Sequence, residues 1–587
     1  MILRNLSFFC LLLLFFLCSC KEKTKQKQEE TFITTSFWLW ERQNQEENSS
    51  TSTGSSTETS SSTNTSSTTD TGLTSNTSSA ISTETDTTTA TCSPNCTWIQ
   101  EAYLKAPNAE TNDNFGWAVG ISSDTIAVST INEDSSQTTI TNGATASADN
   151  SASTSGAVYI FKQNGSTWAQ EAYLKAANAE ANDEFGYSVS ISSDTIAVGA
   201  RTESSNQTTI TNGSGASVDN SKFRSGAVYV FKRSGSTWQQ EAYLKTPNAD
   251  TSDGFGWSVA ISSDTIAVGV RDEASNQTTI TNGTSASTNN SAAASGAVYV
   301  FKRSGSSWAQ EAYLKAPNAE AGDTFGDSVA ISGDTIVVGA TSEDSNQTTV
   351  TNGASASADN SLASFGTSVG AAYVFKRSGT TWAQEAYLKA ANAGANDNFG
   401  ISVSIFSDTI AIGASLEDSS QTTITNGTSA STDNSTANSG AVYVFKRSGT
   451  TWSQEAYLKA ANAGTNDNFG ASVSISSDTI AVGAASEDSN QTTITNGNSA
   501  STDNSASNSG AVYVFKRTGT TWTQEAYLKA PNAELLDNFG AAIAVSSDTI
   551  VVSARNEDSS QTTITNGTTA STDNSASNSG AVYVFKN

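Results

Sequence analysis

The stretch "DNFGASVSISSDTIAVGA", residues 467 to 484, has Phe469-Gly470 near its start and Val482-Gly483-Ala484 at its end, and near copies of it recur through the chain. Phe-Gly returns at Phe115, Phe185, Phe255, Phe325, Phe399, Phe469 and Phe539, and the string EAYLK begins at residues 101, 171, 241, 311, 385, 455 and 525. The period is 70 residues with one step of 74, so a repeat architecture follows before any single residue is considered. One copy, Trp168 to Thr237, reads as four strands. WAQEAYLK alternates Trp168, Gln170, Ala172 and Leu174 against the rest, and FGYSVSIS alternates Phe185, Tyr187, Val189 and Ile191 with small residues. TIAVGA and GAVYVFK follow with β-branched and aromatic residues, and no segment has a helical period.

Ser193-Asp194 is expected to turn tightly between the second and third of these strands, and the RSGST segment after the fourth. Seven four-stranded antiparallel units predict an all-β fold, a seven-bladed β-propeller whose blades pack face to face. Each blade face offers either wide or small residues, as that packing needs. The RSGST hairpin joins each AVYVFK strand to the next Trp strand, whereas the final AVYVFK, before Asn587, has none after it. The first Trp strand, Trp98 to Lys105, is therefore expected to complete the last blade and close the ring.

The Phe-Gly strand, turn and Val-Gly-Ala strand resemble the FG-GAP repeat of integrin α-subunit propellers and of many bacterial surface proteins. The resemblance covers residues 98 to 587 as one propeller domain. Val-Gly-Ala is complete in copies two, four and six and altered elsewhere, as Val-Ser-Thr in the first copy and Val-Ser-Ala in the seventh. The integrin-type repeat also implies a calcium loop of spaced aspartates between these strands. Here that loop is only SSD, SGD or FSD, so the calcium site does not carry over; Asp194 and its equivalents read as turn formers.

Upstream, "MILRNLSFFCLLLLFFLCSC" has the length of a signal-peptide core, too short to span a bilayer convincingly. Its end, Leu17-Cys18-Ser19-Cys20, resembles the lipobox of bacterial lipoproteins, which implies cleavage of residues 1–19, lipid on Cys20 and attachment to a membrane of the cell envelope, the outer membrane or cell surface. Residues 20–97 are dominated by Ser and Thr and read as a disordered tether with a reach of roughly 45 Å. Cys92 and Cys96 flank a Ser-Pro-Asn turn and read as a local disulfide, with two free thiols as the alternative.

A net charge of -27 repels nucleic acid and anionic lipid surfaces. The chain has no histidine, so the commonest general base and metal ligand are absent. Asp113, Asp183, Asp253, Asp323, Asp397, Asp467 and Asp537 each stand two residues before a Phe-Gly, where an Asx-turn explains them. No cluster of acids is unique to one copy, so an enzyme is not expected; a carboxylate-dependent hydrolase is the weaker alternative. No cofactor is expected, although Glu203 with Asp219, and Glu417 with Asp433, offer oxygen atoms for a weak calcium site, against a solvated acidic turn.

The long third-to-fourth connection, such as residues 201 to 224, recurs with the frame Glu, QTT[IV]TNG, Asp-Asn or Asn-Asn, Ser-Gly. Its TTITNG segment is expected to form a small Asn-Gly hairpin. These loops share one end with the "AANAEANDE" connections, while the short turns share the other. Copy-specific residues fall on the long-loop end: Arg201, Lys222, Phe223 and Arg224, then Arg271, Phe365 and Arg555. Aromatic and arginine side chains anchor interfaces, so an unidentified protein or glycan is expected to dock there, on a monomer. A structural or shielding lipoprotein without a dedicated ligand is the competing class.

Overall fold

The computed structural model describes residues 97–359 and 368–587. These residues form seven antiparallel sheets and no helix. The innermost strands pack edge to edge in a ring, each against its neighbours and the last against the first, around a central channel. The expected seven-bladed propeller is what the chain builds.

The second blade shows the plan. From axis to rim run Ser188–Ser192, Thr195–Ala200, Ala227–Ser234 and Thr237–Leu244, all antiparallel. A fifth, two-residue strand, Thr211–Asn212, then pairs outside the last of these, with Asn212 opposite Ala242 and Thr211 opposite Tyr243. The expectation of four strands is thus corrected to five, and that of an Asn-Gly hairpin in TTITNG is corrected with it. The Thr-Asn pair finds the free edge of the outer strand instead of folding on itself, which covers an edge that would otherwise stand open. The Phe-Gly strand is also shorter than expected in most blades: it starts at Phe325 and Phe539 in the fourth and seventh, but only at Ser188 in the second.

Short turns gather at one end of the ring. The turn at Ser193-Asp194 and the two-residue turn Gly235-Ser236 meet there, where the Arg233 guanidinium bonds the Asp194 carboxylate at 2.6 Å. The long loops and the connections between blades meet at the other end, as when Asn178 Nδ2 donates to the Ser217 carbonyl at 2.7 Å.

Each hydrophobic core lies between two blades. One contains Ala127, Val158, Ile160, Ala172 and Leu174 from the first blade and Phe185, Tyr229, Phe231, Trp238 and Tyr243 from the second. The aliphatic face of one blade therefore receives the aromatic face of the next, with Phe185 edge-on to Tyr229 at 5.3 Å. A bulge at Glu171 lets the outer strand turn both Ala172 and Tyr173 into buried positions.

Two further devices join the blades. Asn142 of the first blade's rim strand accepts from the Trp238 amide at 2.7 Å and donates to the Trp238 carbonyl at 3.3 Å. The Trp238 indole Nε1 donates to Glu171 of the first blade's outer strand at 2.9 Å. Both recur around the ring and pass through its closure, where Trp98 bonds Asn496 and Glu525 of the sixth blade. The expected closure holds: Ile99–Leu104 pairs antiparallel with Ala581–Lys586, and on its other side with Thr565–Asn566.

Candidate functional site

The sevenfold frame absorbs most of the charge. In the second blade, Glu203 takes four donors: Lys245 Nζ at 3.1 Å, Tyr243 Oη at 2.9 Å, Asn178 Nδ2 at 3.2 Å and the Ser205 amide at 3.2 Å. Lys245 also donates to Ser225 Oγ and the Gly226 carbonyl. All seven blades carry this Lys–Glu pair, with both side chains almost wholly buried. Asp219, named above as a possible co-ligand of Glu203, instead accepts from the Asn206 amide and Ser221 Oγ in an exposed turn. In the fifth blade Glu417 pairs with Lys459, while Asp433 takes Ser420 and Ser435. A cation at Glu203 or Glu417 competes with an ammonium already held there.

The aspartates before each Phe-Gly are buried and act backwards along the chain. Asp183 Oδ2 accepts from the amide of Glu180 at 3.0 Å, and the other six do the same three residues upstream. They cap the incoming turn; an Asx-turn would have bonded a later amide. Burial pushes the Asp183 carboxyl up to about 7 and Asp113 up to about 8, with the nearby Glu203 and Glu133 carboxylates adding to the rise.

What remains outside the frame is unevenly placed. Every lysine and arginine of residues 97–587 stands at a position that most copies share, except Lys222 and Arg224, found in one copy, and Arg201, Arg271 and Arg555, which occupy one equivalent position that is arginine in only three copies. All five lie on the long-loop end, and three of them converge on the mouth of the channel. Arg201, just past the second strand of its blade, stacks its guanidinium 3.8 Å from the Tyr187 ring centre and 4.7 Å from that of Trp257 in the next blade. The Arg271 guanidinium also lies 4.7 Å from the ring centre of Trp257, and that of Arg555 5.0 Å from the ring centre of Trp117. The three rings stand in a row, 5.8 Å from Trp117 to Tyr187 and 5.3 Å from Tyr187 to Trp257.

Carboxylates sit beside these cations. Glu184 accepts from Arg201 Nε at 2.6 Å, and Asp327 lies 3.5 Å from Arg271 Nη1. Arg271 Nε has no hydrogen-bond partner and lies 3.9 Å from Asp272. The rings and guanidiniums are half-buried, so each keeps some surface in solvent. The far side of the mouth is different: the residues after Phe-Gly there are Ile401, Ala471 and Ala541.

The Lys222 to Arg224 segment belongs to a loop tip further out. Lys222 Nζ donates to the Ala249 carbonyl at 2.9 Å, Phe223 is 61% exposed, and Arg224 stacks over it at 5.3 Å. Val218, 79% exposed, is in the same loop and was not singled out in the sequence. Of the residues expected to bind, the structure thus brings Arg201, Arg271 and Arg555 into one arc and leaves Lys222, Phe223 and Arg224 as a second cluster. Phe365, Cys20, Cys92 and Cys96 lie outside the described residues. Trp117, Tyr187, Trp257, Glu184 and Asp327 were missed. Their signal was present, since the residue after Phe-Gly is Trp, Tyr, Trp, Asp, Ile, Ala and Ala in the seven copies.

The family model for the FG-GAP repeat matches seven times, over residues 98–161, 168–231, 238–301, 308–375, 382–445, 452–515 and 522–585. The chain is an FG-GAP repeat protein. Each FG-GAP match starts at the Trp of an outer strand and ends in the third strand of the next blade. Every repeat therefore lends its first strand to the blade before it, and the ring closes because the first repeat lends its strand to the seventh. An FG-GAP propeller is consistent with a ligand-binding or adhesion-type protein. Among curated proteins, none matches this sequence.

Proposed function

We propose that this FG-GAP repeat protein is a lipid-anchored surface protein of a bacterial envelope whose propeller binds a ligand on its long-loop end. One observation carries the reading. In a chain that repeats itself so closely, the cations that break the pattern all lie on that end, three of them beside three aromatic rings that also break it. A purely structural ring has no use for such a departure, and that disfavours the shielding lipoprotein. The anchor rests on Leu17-Cys18-Ser19-Cys20 at the end of the apolar run. The chain enters the propeller at Trp98, on the short-turn end.

The reading is of a non-enzymatic monomer that needs no cofactor and avoids nucleic acid. With no histidine, acid–base chemistry would fall to carboxylates, and those of the frame are held by lysines or by backbone amides. The full chain, applied to envelope and extracellular extracts, is expected to retain a partner. Alanine at Phe223 and Arg224, or at Trp257, should weaken retention; Ser234→Ala on the short-turn end should not. Loss only in the Ser234 variant would place binding on the wrong end. Cys20→Ala should move the protein out of the detergent phase, and unchanged partitioning would remove the anchor.

A further inference from the structure

The row of rings at the channel mouth does not look like an anion trap. Arg201 is offset by Glu184 and Arg271 by Asp327 and Asp272, and a chain of net charge -27 repels polyanions at a distance. A basic partner meets three guanidiniums first. What the arc offers is a run of aromatic surface with donors and acceptors fixed beside it. An arginine held next to a carboxylate presents N–H groups and oxygen atoms side by side, and neighbouring sugar hydroxyls each both donate and accept. The Arg201–Glu184 and Arg271–Asp327 pairs have this form.

Resting on the reading that ligands dock at the long-loop end, we propose that the arc from Trp117 through Tyr187 to Trp257 binds an uncharged oligosaccharide. Ring spacings of 5.8 and 5.3 Å are close to the rise of one pyranose unit in an extended chain, so successive sugars meet successive rings. The aliphatic C–H faces of the sugars pack on the exposed ring surface, and their hydroxyls bond the Arg–carboxylate pairs. Ile401, Ala471 and Ala541 across the mouth leave the channel open on that side, so the glycan runs along the arc and is not enclosed.

The test uses the full chain against immobilised hexaoses of glucose, mannose and N-acetylglucosamine, with hexagalacturonate and an acidic peptide as charged probes. At least one neutral hexaose should be retained, and retention should persist in about 0.5 M salt, where exposed charge pairs are screened. Trp257→Ala should weaken it about tenfold or more and Arg271→Gln severalfold, with the melting temperature showing both variants folded. Should the alanine variant not fold, Arg271→Gln, at a half-exposed side chain, makes the same comparison. Retention of none of the neutral hexaoses overturns the proposal, as does binding confined to the charged probes. Binding that survives Trp257→Ala but is lost on Phe223→Ala with Arg224→Ala overturns it too, while leaving the long-loop reading intact.

Discussion

Gly199 stands where one blade touches the next: a Cβ built on it would lie 2.2 Å from the Gly256 carbonyl oxygen and 2.4 Å from Ser188 Oγ. That contact explains the middle glycine of Val-Gly-Ala. Ser188, its cross-strand partner, sends its hydroxyl to the Gly256 carbonyl at 2.8 Å. In the first and seventh copies, which have serine in place of this glycine, the partner position is alanine. Ser129 Oγ there accepts from the Ala118 amide, and Ser553 Oγ from Ala542. The hydroxyl has moved across the strand pair, so the departures Val-Ser-Thr and Val-Ser-Ala are compensated. Gly199→Ser should therefore destabilise by about 1–3 kcal/mol, and Ser188→Ala should recover part of the loss. A double-mutant cycle by denaturant melting is expected to show coupling of at least about 0.5 kcal/mol; strict additivity would refute the exchange.

Titration belongs to the same scale. Asp467, buried, has its carboxyl pushed up to about 7 by desolvation and by the Glu487 carboxylate. A carboxyl with a raised folded pKa binds its proton more tightly when folded. Its contribution is full below the unfolded value near 4 and is lost as pH rises through about 7. The melting temperature should accordingly fall between about pH 4 and pH 7 and level off above that, and Asp467→Asn, which keeps the oxygen that caps the Gly464 amide, should flatten part of that slope. An unchanged slope would show that Asp467 is already ionised at neutral pH.

Among the elements, the four main strands of each blade were legible because period-two alternation and the Phe-Gly and Ser-Gly punctuation mark them. The rim strand was not, because two residues carry no period and Asn-Gly suggests a turn equally well. What fixes Thr211–Asn212 is its neighbour in the next blade: the Asn212 side chain bonds the Trp308 amide and carbonyl, 96 positions away. The arc at the channel mouth was half legible for the same reason. Its arginines stood out as copy-specific, but Tyr187 was absorbed into a strand pattern, and the contact of Arg201 with Trp257 exists only across a blade boundary. The outer strand owes its position to the buried Lys–Glu pair as well as to its register. Lys175→Met leaves Glu133 buried without its cation and should cost about 3–5 kcal/mol. A loss under about 1 kcal/mol would mean that Tyr173, Asn108 and the Ser135 amide satisfy the carboxylate alone.

For the whole molecule, closure is the property on which the rest depends. Deleting residues 98–105 removes the outer strand of the seventh blade, with Trp98 and Tyr103 from its core and Lys105 from the Glu557 pair. Such a chain should aggregate or melt many degrees lower, and equal stability would show that the strand is dispensable. The closing strand is also the first part of the propeller that the chain reaches. A force applied through Thr97 draws Ile99–Leu104 along its own axis, between Ala581–Lys586 on one side and Thr565–Asn566 on the other. Under that load the two ladders are sheared and must give way together, whereas a pull across them would unzip one bond at a time. The fastening that makes the ring circular is thus set in its strong direction with respect to traction from the N-terminal side.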